Sequence, residues 1–220
     1  MTNIQIITVT GRKSPLSQAQ IEEVLLEIRQ HHPEVAFDTI LFETTGDLDL
    51  KTSLRSLDKT DFFTKEIDDF LLSGQCEIAI HSAKDLPAHL KKGLAIIAIT
   101  KGVDRRDSLV FRKHDSLQSL KKGAIIGTSS VKREEVIQTL RSDFIFQDIR
   151  GPIHKRLHDL ESGKIDAVVI AEAALIRLKL NALNRLILDG ETTAGQGQLA
   201  ILAREDNHKM KKLFSKLDTR

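Results

Sequence analysis

Short β-branched runs alternate with stretches of helical spacing along almost the whole chain. Ile4–Thr10 (IQIITVT) predicts a strand. Gly11-Arg12-Lys13 then turns the chain, Ser14 is placed to cap a helix, and Pro15 falls at the first helical residue, where a missing N–H costs nothing. Ile21, Val24, Leu25 and Ile28 recur at helical spacing until His31-His32-Pro33. Phe37–Phe42 predicts a second strand. Phe62, Phe63, Ile67, Phe70 and Leu71 predict a helix closed by Gly74, and Glu77–His81 and Leu94–Thr100 two further strands. The rhythm then restarts: strands over Ser108–Phe111 and Ala124–Gly127, a helix over Ser130–Leu140, a strand over Phe144–Ile149, and a helix over Ile153–Leu160. A buried strand over Ala167–Ile170, a helix over Ala171–Leu180 and a last strand over Gln198–Ala203 complete the series.

This alternation predicts an α/β fold with mixed, mostly parallel sheets and helices on both faces. Two β/α groups meet near Thr100–Val103, and the chain turns again through the glycine-rich Gly190–Gly197. Two lobes follow: residues 1–100 with 194–206, and residues 103–190, with 207–220 as a short basic helical tail. Ligands of such folds bind at the C-terminal ends of the strands, so a central cleft between the lobes is expected there.

Composition narrows the function. At 220 residues the chain can bury a sizeable core without disulfides or metals. Lys+Arg 33 against Asp+Glu 31 gives a net charge of +2, too little for a dedicated nucleic-acid or membrane-surface protein. Nine Phe with no Trp or Tyr leave few platforms for stacking bases. Cys76 is the single cysteine, which excludes an intrachain disulfide and a multi-thiolate zinc cluster. No apolar run approaches the ~20 residues of a membrane span, and the first residues lack the layout of a signal peptide. The expected protein is cytoplasmic, and monomeric in the absence of any heptad pattern. Its eight histidines are scattered and predict no metal site.

The informative chemistry is where the cations fall. Arg12 follows the first strand; Lys132 and Arg133 follow Gly127-Thr128-Ser129-Ser130; Arg150 and Gly151 close the Phe144–Ile149 strand, and Arg156 sits in the next helix. The hydroxyls and N–H groups of Thr128, Ser129 and Ser130 at a helix start add an anion site. Guanidinium groups around such a turn suit a ligand with several carboxylates or phosphates. Neither nucleotide-loop pattern is present, so a glycine-rich nucleotide loop is a poor explanation. A second feature is His81-Ser82-Ala83-Lys84-Asp85-Leu86-Pro87, directly after a strand. Asp85 there is either a turn former before Pro87 or a carboxylate that stabilises a cationic centre.

Arg12-Lys13-Ser14-Pro15-Leu16, Thr44-Thr45-Gly46-Asp47, His81–Pro87, Asp104-Arg105-Arg106-Asp107, Gly127–Ser130, Arg150-Gly151 and Gly195-Gln196-Gly197 occur in an order and spacing that resembles the hydroxymethylbilane synthase (porphobilinogen deaminase) family, from about Ile4 to Arg204. The resemblance implies a two-lobed fold like the type II periplasmic binding proteins. It implies deamination and head-to-tail condensation of four porphobilinogen units into the linear tetrapyrrole hydroxymethylbilane, with release of ammonia. Asp85 would be the catalytic carboxylate. Arg12, Ser14, Ser82, Lys84, Thr128, Ser129, Ser130, Lys132, Arg133, Arg150, Gly151 and Arg156 match binding positions. A dipyrromethane cofactor is expected from the family, held there by a cysteine of a third domain that the chain, ending at Arg220, is expected to lack.

Cys76 lies five residues before the end of the His81 strand, roughly 16 Å from it, and does not align with that cysteine, so no covalent attachment is predicted. Other positions depart from the family: Asp58-Lys59-Thr60-Asp61 replaces a glycine-rich loop, Lys132 an arginine, Pro152 an asparagine and Leu202 an acidic residue, while Glu172 adds a negative charge. The alternative function is therefore a catalytically impaired, two-lobed binding protein for a pyrrole or other polycarboxylate. A third reading is an interaction protein paired with a partner that supplies what it lacks.

Overall fold

The computed structural model describes residues 5–53, 55 and 60–220, so Asp58 and Lys59 of the expected loop lie outside the described residues. The chain opens with β1 (Gln5–Arg12), α1 (Pro15–His31) and β2 (Val35–Phe42). Ser14 caps α1, its side chain accepting from the Ser17 N–H with Pro15 at the first turn, as the sequence predicts. A short α2 (Thr45–Leu48) and then α3 (Lys65–Leu72) follow. The expected helix start at Phe62 is displaced to Lys65. Phe63 instead packs so tightly on Gly46 that a Cβ at Gly46 would sit 2.3 Å from its ring, and the Arg12 guanidinium stacks 4.5 Å over that ring. Next come β3 (Ile78–Ser82), a 3₁₀ turn at Ala83–Asp85, and β4 (Leu94–Ile99).

A second series runs β5 (Asp107–Phe111), β6 (Ile125–Gly127), α4 (Val131–Leu140), β7 (Ile145–Gln147), α5 (Ile153–Glu161), β8 (Ala167–Ala171), α6 (Glu172–Arg177) and β9 (Arg185–Leu188). The sequence pattern passes over β9, a four-residue edge strand whose Leu186 and Ile187 are exposed. The chain then ends with β10 (Leu199–Arg204) and α7 (His208–Phe214).

Two compact units result: Met1–Leu48, Lys59–Val103 and Gln198–Arg220 in the first, Asp49–Asp58 and Asp104–Gly197 in the second. The first holds the sheet β2-β1-β3-β10-β4, the second the sheet β7-β6-β8-β5-β9. Both are mixed. β1 pairs in parallel with β2 and β3, and β6 with β7 and β8, but β10 runs antiparallel to β3 and β4, and β5 to β8 and β9. Residues 207–220, set apart by their basic pattern, pack into the first unit: Met210, Phe214 and Leu217 join the core formed by Ile7, Val24, Ile28 and Ile201.

The first sheet is buried on both faces. Ile78 and Ile80 of β3 lie in the cluster with α1 and α7, whereas Ala79 lies in the cluster with Ile67 and Leu71 of α3. Side chains alternate along a strand, so His81 follows Ala79 to the α3 face and Ser82 follows Ile80 to the α1 face. Leu202, at the position expected to be acidic, is fully buried with Leu71 and Ala79, where a carboxylate would lose its hydration.

Two left-handed glycines, Gly195 (φ +76) and Gly197 (φ +86), bring the chain to β10. A Cβ at Gly197 would lie 2.4 Å from the Asp104 carbonyl oxygen. Strain and clash both oppose a side chain. Gly197→Ala is expected to lower unfolding stability by about 2 kcal/mol or more, read as a lower urea midpoint at unchanged slope.

Candidate active site

Because β1 and β3 are parallel neighbours, with Val9 opposite Ile78 and Thr10 opposite Ala79, their C-terminal ends reach one sheet edge. There a cavity of about 40 Å³ is lined by Arg12, Ser14, Gln20, His81, Ser82 and Asp85, together with Phe63 and Thr64. That is room for a carboxylate, a ring edge or a few waters. Four of the residues singled out from the sequence thus meet from two segments about seventy positions apart. Lys84 lies on the same 3₁₀ turn, outside the lining.

Arg12, Ser14, Gln20 and Ser82 are held by hydrogen bonds. Arg12 forms a fork with Asp47, its Nε donating to Oδ2 at 3.1 Å and its Nη2 to Oδ1. Burial works against the Asp47 carboxylate, but the Arg12 fork and the Thr44 N–H and hydroxyl outweigh it and keep the pKa below the usual range. Ser82 Oγ accepts from Gln20 Nε2 at 2.8 Å, and the Arg12 N–H donates to Ser17 Oγ at 3.1 Å. Gln20, Phe63 and Thr64 escaped the sequence reading: Gln20 sits among the apolar positions of α1, and Phe63 and Thr64 look like the start of a helix.

His81 and Asp68 form a buried pair beside this cavity. Asp68 is fully buried on α3, and its Oδ1 lies 3.8 Å from His81 Nε2, beyond hydrogen-bonding reach. His81 Nε2 makes no hydrogen bond, and the Asp68 oxygens make none of good geometry, the Thr64 hydroxyl only partly easing their burial. Burial pushes Asp68 up to about 6. Burial, then the charge of Arg12, pushes His81 down to about 4.

The second unit offers a different set of donors at the ends of β6 and β7. The Thr128 N–H donates to the Gln147 carbonyl at 2.9 Å. Ser129 Oγ donates to the Ile149 carbonyl and accepts from the Ile149 N–H at 3.1 Å, and Thr128 Oγ1 accepts from the Ser130 N–H at 3.2 Å. Two of the three expected hydroxyls therefore serve to hold the turn. Ser130 precedes α4 without a side-chain cap, so amide groups of the first turn face outward. Arg133 is paired with the buried Asp107 at 2.6 Å, Arg150 Nη2 donates to the Asp49 carbonyl at 2.7 Å, and Arg156 Nε to the Gly151 carbonyl at 2.8 Å. Gly151 is left-handed, at φ +98. Lys132 is exposed. Asp148 stays ionised despite burial because Ser129, Ser53, Arg55 and Arg150 surround it.

Glu172, expected as an added repulsive charge, is compensated. Arg185 binds it through two bonds of 2.9 and 2.7 Å, and Ser108 donates a third. Cys76 is 1 % exposed in the α3 cluster, and burial, then Glu77, pushes its thiol up to about 12. It presents no thiolate at neutral pH. His154 and His158 stand one turn apart on α5, an H-x-x-x-H spacing that the scattered histidines had hidden. Both are exposed, with Lys155 and Arg156 between them, and among the described residues no third ligand joins them.

The family described as "Porphobilinogen deaminase, dipyromethane cofactor binding domain" matches residues 7–212. A porphobilinogen deaminase of Streptococcus sanguinis (strain SK36) is 36 % identical over 219 residues, spanning 96 % of this chain and 72 % of that relative. Among solved structures, an ABC-transporter periplasmic substrate-binding protein from Coxiella burnetii superposes with a TM-score of 0.59 at 15 % identity, covering 96 % of this chain and 91 % of that one. A sulfate-bound regulatory domain of an OxyR2 mutant from Vibrio vulnificus superposes with a TM-score of 0.57 at 12 % identity, covering 99 % and 94 %. At these identities the structural likeness concerns the fold, the two-lobed α/β class of periplasmic binding proteins.

The opposed shifts of Asp68 and His81 make a stability prediction. A carboxyl held at about 6 keeps its proton when folded but loses it near 3.8 when unfolded, so alone it costs stability as pH rises from 3.8 to 6. A histidine held at about 4 stays neutral when folded but charges near 6.5 when unfolded, so alone it costs stability as pH falls from 6.5 to 4. Together they nearly cancel. Thermal melts across this range should find His81→Gln losing about 2–3 kcal/mol as pH rises and Asp68→Asn losing a similar amount as pH falls. Parallel slopes for the two variants would contradict the pairing.

Proposed function

This chain belongs to the porphobilinogen deaminase family, transferases of tetrapyrrole biosynthesis, and from that premise we propose that it condenses four porphobilinogen units head to tail into hydroxymethylbilane with release of ammonia. The observation that supports this reading is the cavity where Asp85 meets Arg12, Ser14 and Ser82. As the aminomethyl C–N bond breaks, ammonia leaves with the bonding pair and the pyrrole becomes cationic. Asp85, aligned with the ring N–H, stabilises that charge in a partly desolvated site. Arg12 and the Ser14 and Ser82 hydroxyls take a side-chain carboxylate of the substrate. Asp47 and Phe63 hold the guanidinium in place, so little ordering is left for the ligand to impose.

The dipyrromethane named in the family's description has four carboxylates, and the second unit's donor set fits such a group in kind. Uncapped amides at α4, Lys132, Arg133, Arg150 and Arg156, with Thr128, Ser129, Ser130 and Gly151 shaping the turn, would hold it. When bound, that group supplies the primer to which pyrroles are added. Cys76 does not fit its covalent attachment, being enclosed in the core with its thiol protonated. That same observation favours, as the second reading, a protein that binds the polycarboxylate without turnover.

Incubation with porphobilinogen separates the two. Ammonia release that falls about 10²-fold or more in Asp85→Asn, with ligand-induced thermal stabilisation retained, is the expected result. Stabilisation of the unsubstituted chain without any ammonia would identify the binder.

A further inference from the structure

The buried Asp68–His81 pair has no part in the chemistry assigned above, yet it is placed to serve it. His81 lines the cavity that holds Asp85, and Asp68 stands behind it on α3, 3.8 Å away. Both are buried, and His81 Nε2 has no hydrogen bond to satisfy it. A lone carboxylate in such surroundings is costly, and one proton brought to the pair cancels its charge.

Resting on the condensation proposed above, that chemistry needs a proton acceptor. When the free α-carbon of one pyrrole forms the new C–C bond, its C–H bond must break. The electron pair returns to the ring and the proton must go to a base. Ammonia leaves separately with the pair of its own C–N bond, and Asp85 is engaged with the cationic ring. We propose that the Asp68–His81 pair receives this proton: His81, which lines the cavity, takes it up and passes it to the Asp68 carboxylate behind it, which becomes the neutral acid. His81 acts at the cavity; Asp68 acts only through it.

The neighbouring charges permit this. Arg12 at the end of β1 opposes a positive His81 even with Asp47 paired to its guanidinium, which favours passing the proton on to Asp68. Around Asp68, Lys91 favours the carboxylate while Asp61 and Asp69 disfavour it. Gln20 and Ser82 on the α1 face are neutral and bonded to each other, and β10 sets Ala200 opposite His81. The values of about 6 and about 4 describe a pair that holds no proton at neutral pH and binds one just below it, as a base working near pH 7 requires.

The test follows ammonia release and tetrapyrrole formation by the full chain from about pH 5 to 9. It compares the unsubstituted protein, Asp68→Asn, Asp68→Glu and Asp85→Asn, with hydrogen or deuterium on the α-carbon of porphobilinogen. Asp68→Asn should move the acid limb of the tetrapyrrole rate down by about one pH unit or more and lower the plateau by about tenfold or more. It should also expose a deuterium effect absent from the unsubstituted protein, and Asp68→Glu should restore both. A merely structural role would depress rates evenly across pH and for both isotopes. An unmoved acid limb without a deuterium effect overturns the pair's role, while continued loss of ammonia release in Asp85→Asn would leave the Asp85 reading standing. Ammonia release that survives Asp85→Asn, or is absent from the unsubstituted chain, overturns both. In the unsubstituted chain, NMR of the His81 nitrogens and the Asp68 carboxyl provides a check without turnover: uptake of one proton near pH 6 supports the pair, and none between about pH 5 and 7 refutes it.

Discussion

The alternation of side chains along β3 is the constraint on which the candidate site depends. This strand lies between β1 and β10 with both faces covered, so each residue is committed to one helix or another. Ile78, Ile80 and Ser82 go to the α1 face, and Ser82 meets Gln20 there. Ala79 and His81 go to the α3 face, and His81 meets Asp68. The strand then ends in a 3₁₀ turn that delivers Asp85 to the edge reached by Arg12. A slip of one residue would exchange every one of these partners. The apolar residues that prevent the slip are the same ones that make the core.

Charge is managed in both units by pairing it within the fold. Arg12 is matched with Asp47, Arg133 with Asp107 and Arg185 with Glu172, each at least partly buried. Paired guanidinium groups cost less to hold at a ligand site than free ones, because their side chains are already ordered. Among the described residues Asp68 is the exception, a buried carboxylate with no cation in hydrogen-bonding contact. Such an exception is the kind of local cost that tends to mark function.

Membership of the porphobilinogen deaminase family fits with a chain that differs at several family positions, and the structure gives some of the differences a physical meaning. Leu202 belongs to a dry core. Glu172 comes with its own counter-charge in Arg185 and Ser108, so it adds no repulsion of the kind its letter suggests. Lys132, by contrast, remains exposed, and nothing in its surroundings explains the choice of lysine over arginine.

Read alone, the amino-acid sequence determined the α/β class, the capped start of α1, the strand before His81, the return of the chain after Gly197, and the segments that carry Arg12 and Asp85. These rest on hydrophobic periodicity, capping and glycine chemistry, all of which act over a few residues. Only the tertiary structure decided that Phe62 and Phe63 leave the helix to pack on Gly46 and under Arg12, that β9 pairs with β5, and that residues 207–220 join the first core. It also decided that Ser129 is spent on the backbone of Ile149, that Gln20 belongs to the cavity, and that Asp68 stands behind His81. Each of those outcomes depends on contacts between positions far apart in the chain. Burial and pairing energies arise only when such segments meet, so local spacing carries no record of them.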